Sequence, residues 1–313
     1  IEIIAEQLGR EQDTITSESD IANDLGADSL DVAELMIAFE ESFEIDIDEE
    51  TAEYSRNIPG EFGKKLCKNI DFGEECSSFV LKEDERCPFL NETGLCEIII
   101  NLGEKSLCQV CDDHPRFRNF LSDRTEMGLG LCCEAAAELI LRQQEPVGFL
   151  TLEDDGGTEE SDAAFLAFRD KLFAIVQDRS LPMVQRVENM LHACGISFTV
   201  DYAHWAAFLL ELERLDDTWA QVLQRLHEPE QPVSPRWEIP LEQLMVYLLF
   251  RHLAGALEDG DVQGRVAYCA LMWQLLRRML RNDLPALARL YSSEIEYSDE
   301  NLDALLEEID LLL

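Results

Sequence analysis

Positive charge is almost missing from the first 53 residues, which hold 18 aspartates and glutamates against one basic residue, Arg10, a net of −17 out of the −40 carried by all 313 residues. A surface of that sign repels phosphate backbones and anionic lipid, which argues against nucleic acid as a partner. Long apolar runs are missing too. No stretch approaches the roughly 20 residues that cross a bilayer, and the opening IEIIAEQLGR lacks a basic segment followed by an apolar one, so neither a membrane span nor a secretory leader is expected. These absences give a cytoplasmic expectation. Cysteine is absent before Cys67, then crowds into eight positions from Cys67 to Cys133, leaving only Cys194 and Cys269 beyond. The sequence begins at Ile1 rather than Met, from which a longer parent chain is expected. With 46% hydrophobic residues the composition is that of a globular protein, and the length suits two domains at ~150 residues each.

What is present divides into three regions: 1–53, 54–145 and 146–313. In the first, Leu30, Val32, Leu35, Met36, Phe39 and Phe43 form one apolar stripe of a helix whose other face carries Asp31, Glu34, Glu40 and Glu41. Asp28 and Ser29 stand at its start, where short polar side chains cap free N–H groups and negative charge suits the helix dipole. On composition alone Ser29 is an N-cap and the acids a solvated face. The wording from Ile21 to Asp31, Ile-Ala-Asn-Asp-Leu-Gly-Ala-Asp-Ser-Leu-Asp, with Glu6-Gln-Leu-Gly9 before it and Glu40-Glu-Ser-Phe43 after it, resembles the prosthetic-group site of acyl carrier proteins. That resemblance covers about residues 1–53, a truncated carrier-like segment. It implies that Ser29 bears 4′-phosphopantetheine, whose thiol carries acyl groups as thioesters, and that acyl-chain enzymes with basic patches read the acidic helix. A helix start suits the attached phosphodiester.

In the second region the spacing is Cys87-x8-Cys96-x11-Cys108-x2-Cys111-x20-Cys132-Cys133, with Cys67 and Cys76 upstream. Disulfides fit poorly with a sequence lacking a secretory leader. Metal ligation is favoured over buried free thiols, because thiolates at C-x2-C reach one ion from a single turn and sulfur-rich sets select zinc or iron–sulfur clusters. The wording at Leu81–Cys96, at Leu107–Phe117 and at Arg124–Ala136 resembles the flagellin lysine-N-methylase family, and Ala288–Leu302 is similar to that family's C-terminal signature, so the likeness covers about residues 45–313. The two resemblances meet at Phe43-Glu-Ile-Asp-Ile-Asp48. The second implies methyl transfer from S-adenosylmethionine to lysines of flagellin, with an iron–sulfur cluster, zinc being the alternative, held by Cys87, Cys96, Cys108, Cys111, Cys132 and Cys133. It assigns no catalytic or donor-binding residue. The contrasting expectation is a non-enzymatic carrier or interaction module built around Ser29.

The third region opens on a polar stretch, 146–161, that reads as a surface loop. Helical periodicity follows. Leu302, Leu305, Leu306, Ile309 and Leu312 form an amphipathic stripe, whereas Leu241, Leu244, Val246, Leu248, Leu249 and Leu253 lie in a more fully buried helix. Pro182, Pro232, Pro235 and Pro240 are expected to divide helices. Trp205, Trp219, Trp237 and Trp273 read as core rather than as a cofactor pocket, and His204 and His252 as structural histidines. Gly128-Leu-Gly130 is too short for a nucleotide loop. The fold expected is mainly α: a carrier-like helical segment, a cysteine-rich metal-binding region and a helical C-terminal domain.

Overall fold

The computed structural model describes residues 58, 60–72, 77–82, 86–153 and 162–313, and the chain divides into two compact units, residues 1–114 and 115–313. The cysteine-rich region is thus shared between the units. The described residues are mainly helical. Among them no helix is long and apolar enough to cross a membrane. The carrier-like segment, with Ser29, lies outside the described residues.

In the first unit, α1 (Gly60–Asn69) runs into a two-stranded antiparallel ribbon of β1 (Ile70–Phe72) and β2 (Ser77–Phe79), with Ile70 opposite Phe79. Two short helices follow, α2 (Glu97–Leu102) and α3 (Gln109–Asp113). Among the described residues of this unit, Leu66, Ile70, Phe89 and Ile98 form a buried apolar cluster, with Phe62, Phe79, Cys87 and Cys96 packed against it. Phe89 meets Phe79 edge-on at 4.9 Å between ring centroids.

The second unit begins with a hairpin, β3 (Arg116–Phe120) and β4 (Thr125–Leu129), in which Phe117 faces Gly128. Gly128 is needed there because a Cβ would stand 2.4 Å from the Phe117 ring. Helix α4 (Glu134–Leu141) leads to an exposed, extended stretch over 146–150. Then come α5 (Ala163–Val176), α6 (Met183–Ala193), α7 (Tyr202–Glu211), α8 (Asp217–Leu223), α9 (Glu238–His252), α10 (Ala256–Asp259), α11 (Val262–Met279) and α12 (Leu284–Tyr291). A π-helical turn, Ser292–Glu296, precedes α13 (Asp299–Asp310).

The centre is the pair α9 and α11, packed together, with α4 and α5 against α9 and α13 against α11. From Leu241 to Leu249 every residue of α9 is buried, the pattern of a helix enclosed on all sides. Trp205, Trp219 and Trp273 are buried and Trp237 packs at the edge of the same core. Trp273 donates its indole N–H to the Leu241 carbonyl at 2.9 Å.

Two local expectations are corrected. Pro240 does not divide helices: it sits in the first turn of α9, where the N–H that proline lacks has no intrahelical partner in any case. Leu312 leaves the α13 stripe, because the helix ends at Asp310 and the last three residues are exposed.

Candidate functional site

Four of the six cysteines singled out by spacing share the first unit. Cys87 and Cys96 stand at the two ends of a tight loop closed by a bridge between Leu90 and Cys96 and by the Glu97 N–H donating to the Phe89 carbonyl at 2.8 Å. Cys96 immediately precedes α2. Cys108 immediately precedes α3 and Cys111 lies within it, so C-x2-C occupies one helical turn. Phe79 and Cys111 each pack against Cys108, and Phe79, Cys87 and Cys96 each pack against the cluster of Leu66, Ile70, Phe89 and Ile98.

The electrostatics tie them together. The Cys111 thiol is pushed far above the ordinary thiol range by its hydrogen bond with Cys108, by burial, and by the proximity of Cys108, Cys87 and Cys96. Sulfurs close enough to oppose one another's ionisation would be relieved by a shared cation. Among the described residues, however, no group of three or more His, Cys, Asp or Glu is drawn in to hold a metal ion. Thiols are the donor type of a thiophilic centre, but their placement among the described residues does not make one. Cys67 is exposed on α1, and Cys76 lies outside the described residues.

Cys132 and Cys133 belong to the second unit, half-buried on the turn that enters α4. Their surroundings are different. Burial raises the Cys132 thiol, while a hydrogen bond with Tyr297 and the charge of Arg251 act against that rise. Behind it lies a polar network without local sequence signature. Glu296, on the π-helical turn, accepts from the Tyr247 hydroxyl at 2.7 Å and lies 2.7 Å from His252 Nε2. Arg251 donates to the Glu296 carbonyl oxygen at 3.1 Å, and its guanidinium lies between the rings of Phe117 and Tyr297, at 4.8 and 4.9 Å. Burial would push the Glu296 carboxyl up, but Arg251 and His252 bring it down to about 2. Burial pushes His252 below its ordinary range despite that carboxylate. The network reaches the cysteine turn, because the Leu131 N–H donates to the Tyr247 hydroxyl at 3.3 Å. A Cβ on Gly130 would stand 2.4 Å from the Tyr297 hydroxyl, so only glycine lets this turn lie so close.

Sequence reasoning missed Arg251, Glu296 and Tyr297 as a constellation. The available signal was an arginine, Arg251, inside the otherwise apolar helix α9. The expectation that His252 is structural agrees with its place beside Glu296.

Residues 1–58 match the family described as phosphopantetheine attachment site. The acyl carrier protein of Syntrophobacter fumaroxidans (strain DSM 10017 / MPOB) is 48% identical over 69 residues, which are 22% of this chain and 84% of that relative. Through this N-terminal segment the chain belongs to the acyl carrier protein family, and its prosthetic group is 4′-phosphopantetheine. No solved structure matches the chain.

Proposed function

We propose that Ser29 is the residue that bears the 4′-phosphopantetheine arm, and that the body beyond it is a lysine N-methyltransferase of the flagellin-methylase kind, organised by a metal centre on clustered thiols. The match of residues 1–58 to phosphopantetheine attachment sites carries the first half of this reading. In the carrier role the Ser29 hydroxyl forms the phosphodiester, the arm's terminal thiol holds an acyl group as a thioester, and acyl-chain enzymes with basic patches engage the acidic helix through charge complementarity.

For the body, what supports the reading is that Cys87, Cys96, Cys108 and Cys111 belong to one unit, Cys87 and Cys96 packing against one apolar cluster and Cys111 against Cys108. These four residues would hold an iron–sulfur cluster or, as the alternative, zinc. Cys132 and Cys133 remain candidate ligands by resemblance. Methyl transfer requires S-adenosylmethionine and a deprotonated lysine amine of flagellin held in line with the methyl carbon. A cytoplasmic location accords with reduced thiols. The alternative reading is a non-enzymatic carrier module, and it is favoured by the fact that the family match falls wholly on the N-terminal segment.

Co-expression with a phosphopantetheinyl transferase should add the mass of the arm to the chain and nothing to Ser29→Ala; absence of the gain rejects the carrier role. Incubation with S-adenosylmethionine and flagellin, followed by peptide mass spectrometry, should reveal methyl groups on lysine. Unmodified flagellin leaves the carrier-module reading in place.

A further inference from the structure

We propose that the outer face of the β3–β4 hairpin is a docking surface for an acidic amphipathic segment of a partner protein, which lays its apolar side on Phe120, Met127 and Leu129 and its carboxylates on Arg116 and Arg118. This goes beyond the carrier and methyl-transfer readings and depends on neither.

Side chains of a strand alternate between two sides, and here the two sides do different things. Phe117 packs on Phe250 with ring centroids 5.6 Å apart, the Asn119 amide donates to the Phe250 carbonyl at 2.8 Å, and Arg169 donates two hydrogen bonds to Glu126, at 2.6 and 2.7 Å. These contacts fasten the inner face to α9 and α5. The residues between them are all exposed, and the register sets Arg116 opposite Leu129, Arg118 opposite Met127 and Phe120 opposite Thr125. The core thus holds the outer face in position without covering it.

The content of that face is unusual for this chain. Phe120 is 73% exposed, Met127 44% and Leu129 36%. Met127 and Leu129 are neighbours along β4, and Phe120 lies diagonally across from Met127, so the three make one patch. Apolar side chains gathered in this way mark an interaction surface, whereas single exposed ones need no explanation. No acid stands among the six outward positions, although Asp and Glu outnumber Lys and Arg by 65 to 25 in the whole chain. Arg116 and Arg118 border the patch on β3, and an arginine keeps its charge in any contact it makes.

Charge complementarity and spacing select the occupant. Two arginines on one side of a strand recur at about 7 Å, close to the roughly 5–6 Å between acids three or four positions apart on a helix. A helix with such acids beside an apolar stripe meets both parts of the face. A phosphate backbone would satisfy the arginines and leave the apolar residues in water. An anionic lipid surface would meet far more of the molecule than this ribbon, and the net charge of −40 opposes it. A short segment feels mainly the charges within a screening length of about 8–10 Å.

The test uses the full chain and a fluorescent synthetic peptide with the sequence of residues 28–43, chosen because it carries five acids, no base and an apolar stripe. Binding is read by anisotropy, and its place by hydrogen exchange with and without peptide. The peptide should bind and slow exchange in residues 116–129. Arg116→Glu with Arg118→Glu should weaken binding by about tenfold or more, while Arg116→Lys with Arg118→Lys keeps most of the affinity. Raising the salt from about 50 to about 500 mM should shrink the difference between the glutamate variant and the parent. Phe120→Ser should weaken binding at both salt concentrations. Exchange in α9 and α11 that matches the parent shows that each variant is folded. A peptide that does not bind, that protects a different segment, or that binds the glutamate variant as tightly as the parent overturns the docking surface. Tighter binding to phosphatidylglycerol vesicles or to a DNA duplex than to the peptide overturns the choice of occupant.

Discussion

In residues 115–313, Asp201, Asp216, Asp261, Asp283 and Ser298 each stand ahead of a helix and accept a hydrogen bond from its first turn, whereas Cys96 and Cys108, placed ahead of α2 and α3, accept none. Burial follows the same division. The larger unit closes around α9 and α11 and satisfies its interior charges internally: Glu242, fully buried, accepts from Arg179 at 2.8 Å and from Arg186 at 2.5 Å. The smaller described segment has few buried apolar groups and several thiols. The lesson is that the larger unit rests on apolar burial and capped helices, whereas cysteine stands at two helix starts of the smaller described segment without capping them.

The largest effect expected from this contrast is local to the second unit. Trp273→Ala removes a fully enclosed indole and its bond to the Leu241 carbonyl, and should cost residues 115–313 about 3–5 kcal/mol in denaturant unfolding. Phe89→Ala should leave that unit's exchange protection intact while loosening residues 60–113. If Trp273→Ala costs less than about 1 kcal/mol, the larger unit is not held by its core as described.

Acidification should act next, again on the second unit. The buried His252 has its pKa pushed below the ordinary 6.5, so the unfolded chain takes up that proton first and stability falls as the pH drops below 6.5. Glu296 is brought from 4.5 to about 2; the stability it contributes is complete above 4.5 and is lost as the pH falls from there through 2, on the order of 3 kcal/mol in all. Urea midpoints at roughly pH 7, 5 and 3 should decline in that order. Glu296→Gln should be less stable at neutral pH and should flatten the acid limb.

The smallest effects concern helix ends and surface charge. Asp283→Ala, which deletes the acceptor of the Ala286 N–H at 3.0 Å, should cost about 1 kcal/mol. Lys64→Ala breaks an exposed pair with Glu61 and should change stability by no more than about 0.5 kcal/mol by the same unfolding assay. A larger effect of Lys64→Ala would mean that surface charge supports the smaller unit.

Much of the helical half was legible because its signal is local. Leu241 to Leu253 is too apolar to face water, and the spacing of Leu302, Leu305, Leu306 and Ile309 repeats with the helical turn. The phosphopantetheine segment was legible in its wording, although Ser29 itself lies outside the described residues. The hairpin β3–β4 was missed, its strands being five residues each and its alternation broken by polar Asn119. The Glu296 network could not be read because its members are brought together by tertiary packing: Tyr247 and Glu296 are 49 positions apart, and Leu131 and Tyr247 are 116 apart. The six cysteines were visible as a set, but only folding assigns four to one unit and gives Cys132 the company of Tyr297 and Arg251.

The widened turn Ser292–Glu296 works as a two-sided clasp. One carboxylate, Glu294, takes the Leu215 and Asp216 N–H groups at 2.9 Å each; the other, Glu296, grips Tyr247 and His252 on α9. A π turn accommodates one residue more than the α-helix would. Shortening this stretch by a single residue would therefore force the chain to release one grip or the other, detaching either the approach to α8 or the base of the cysteine turn, and would shift Ile295 in the core between them.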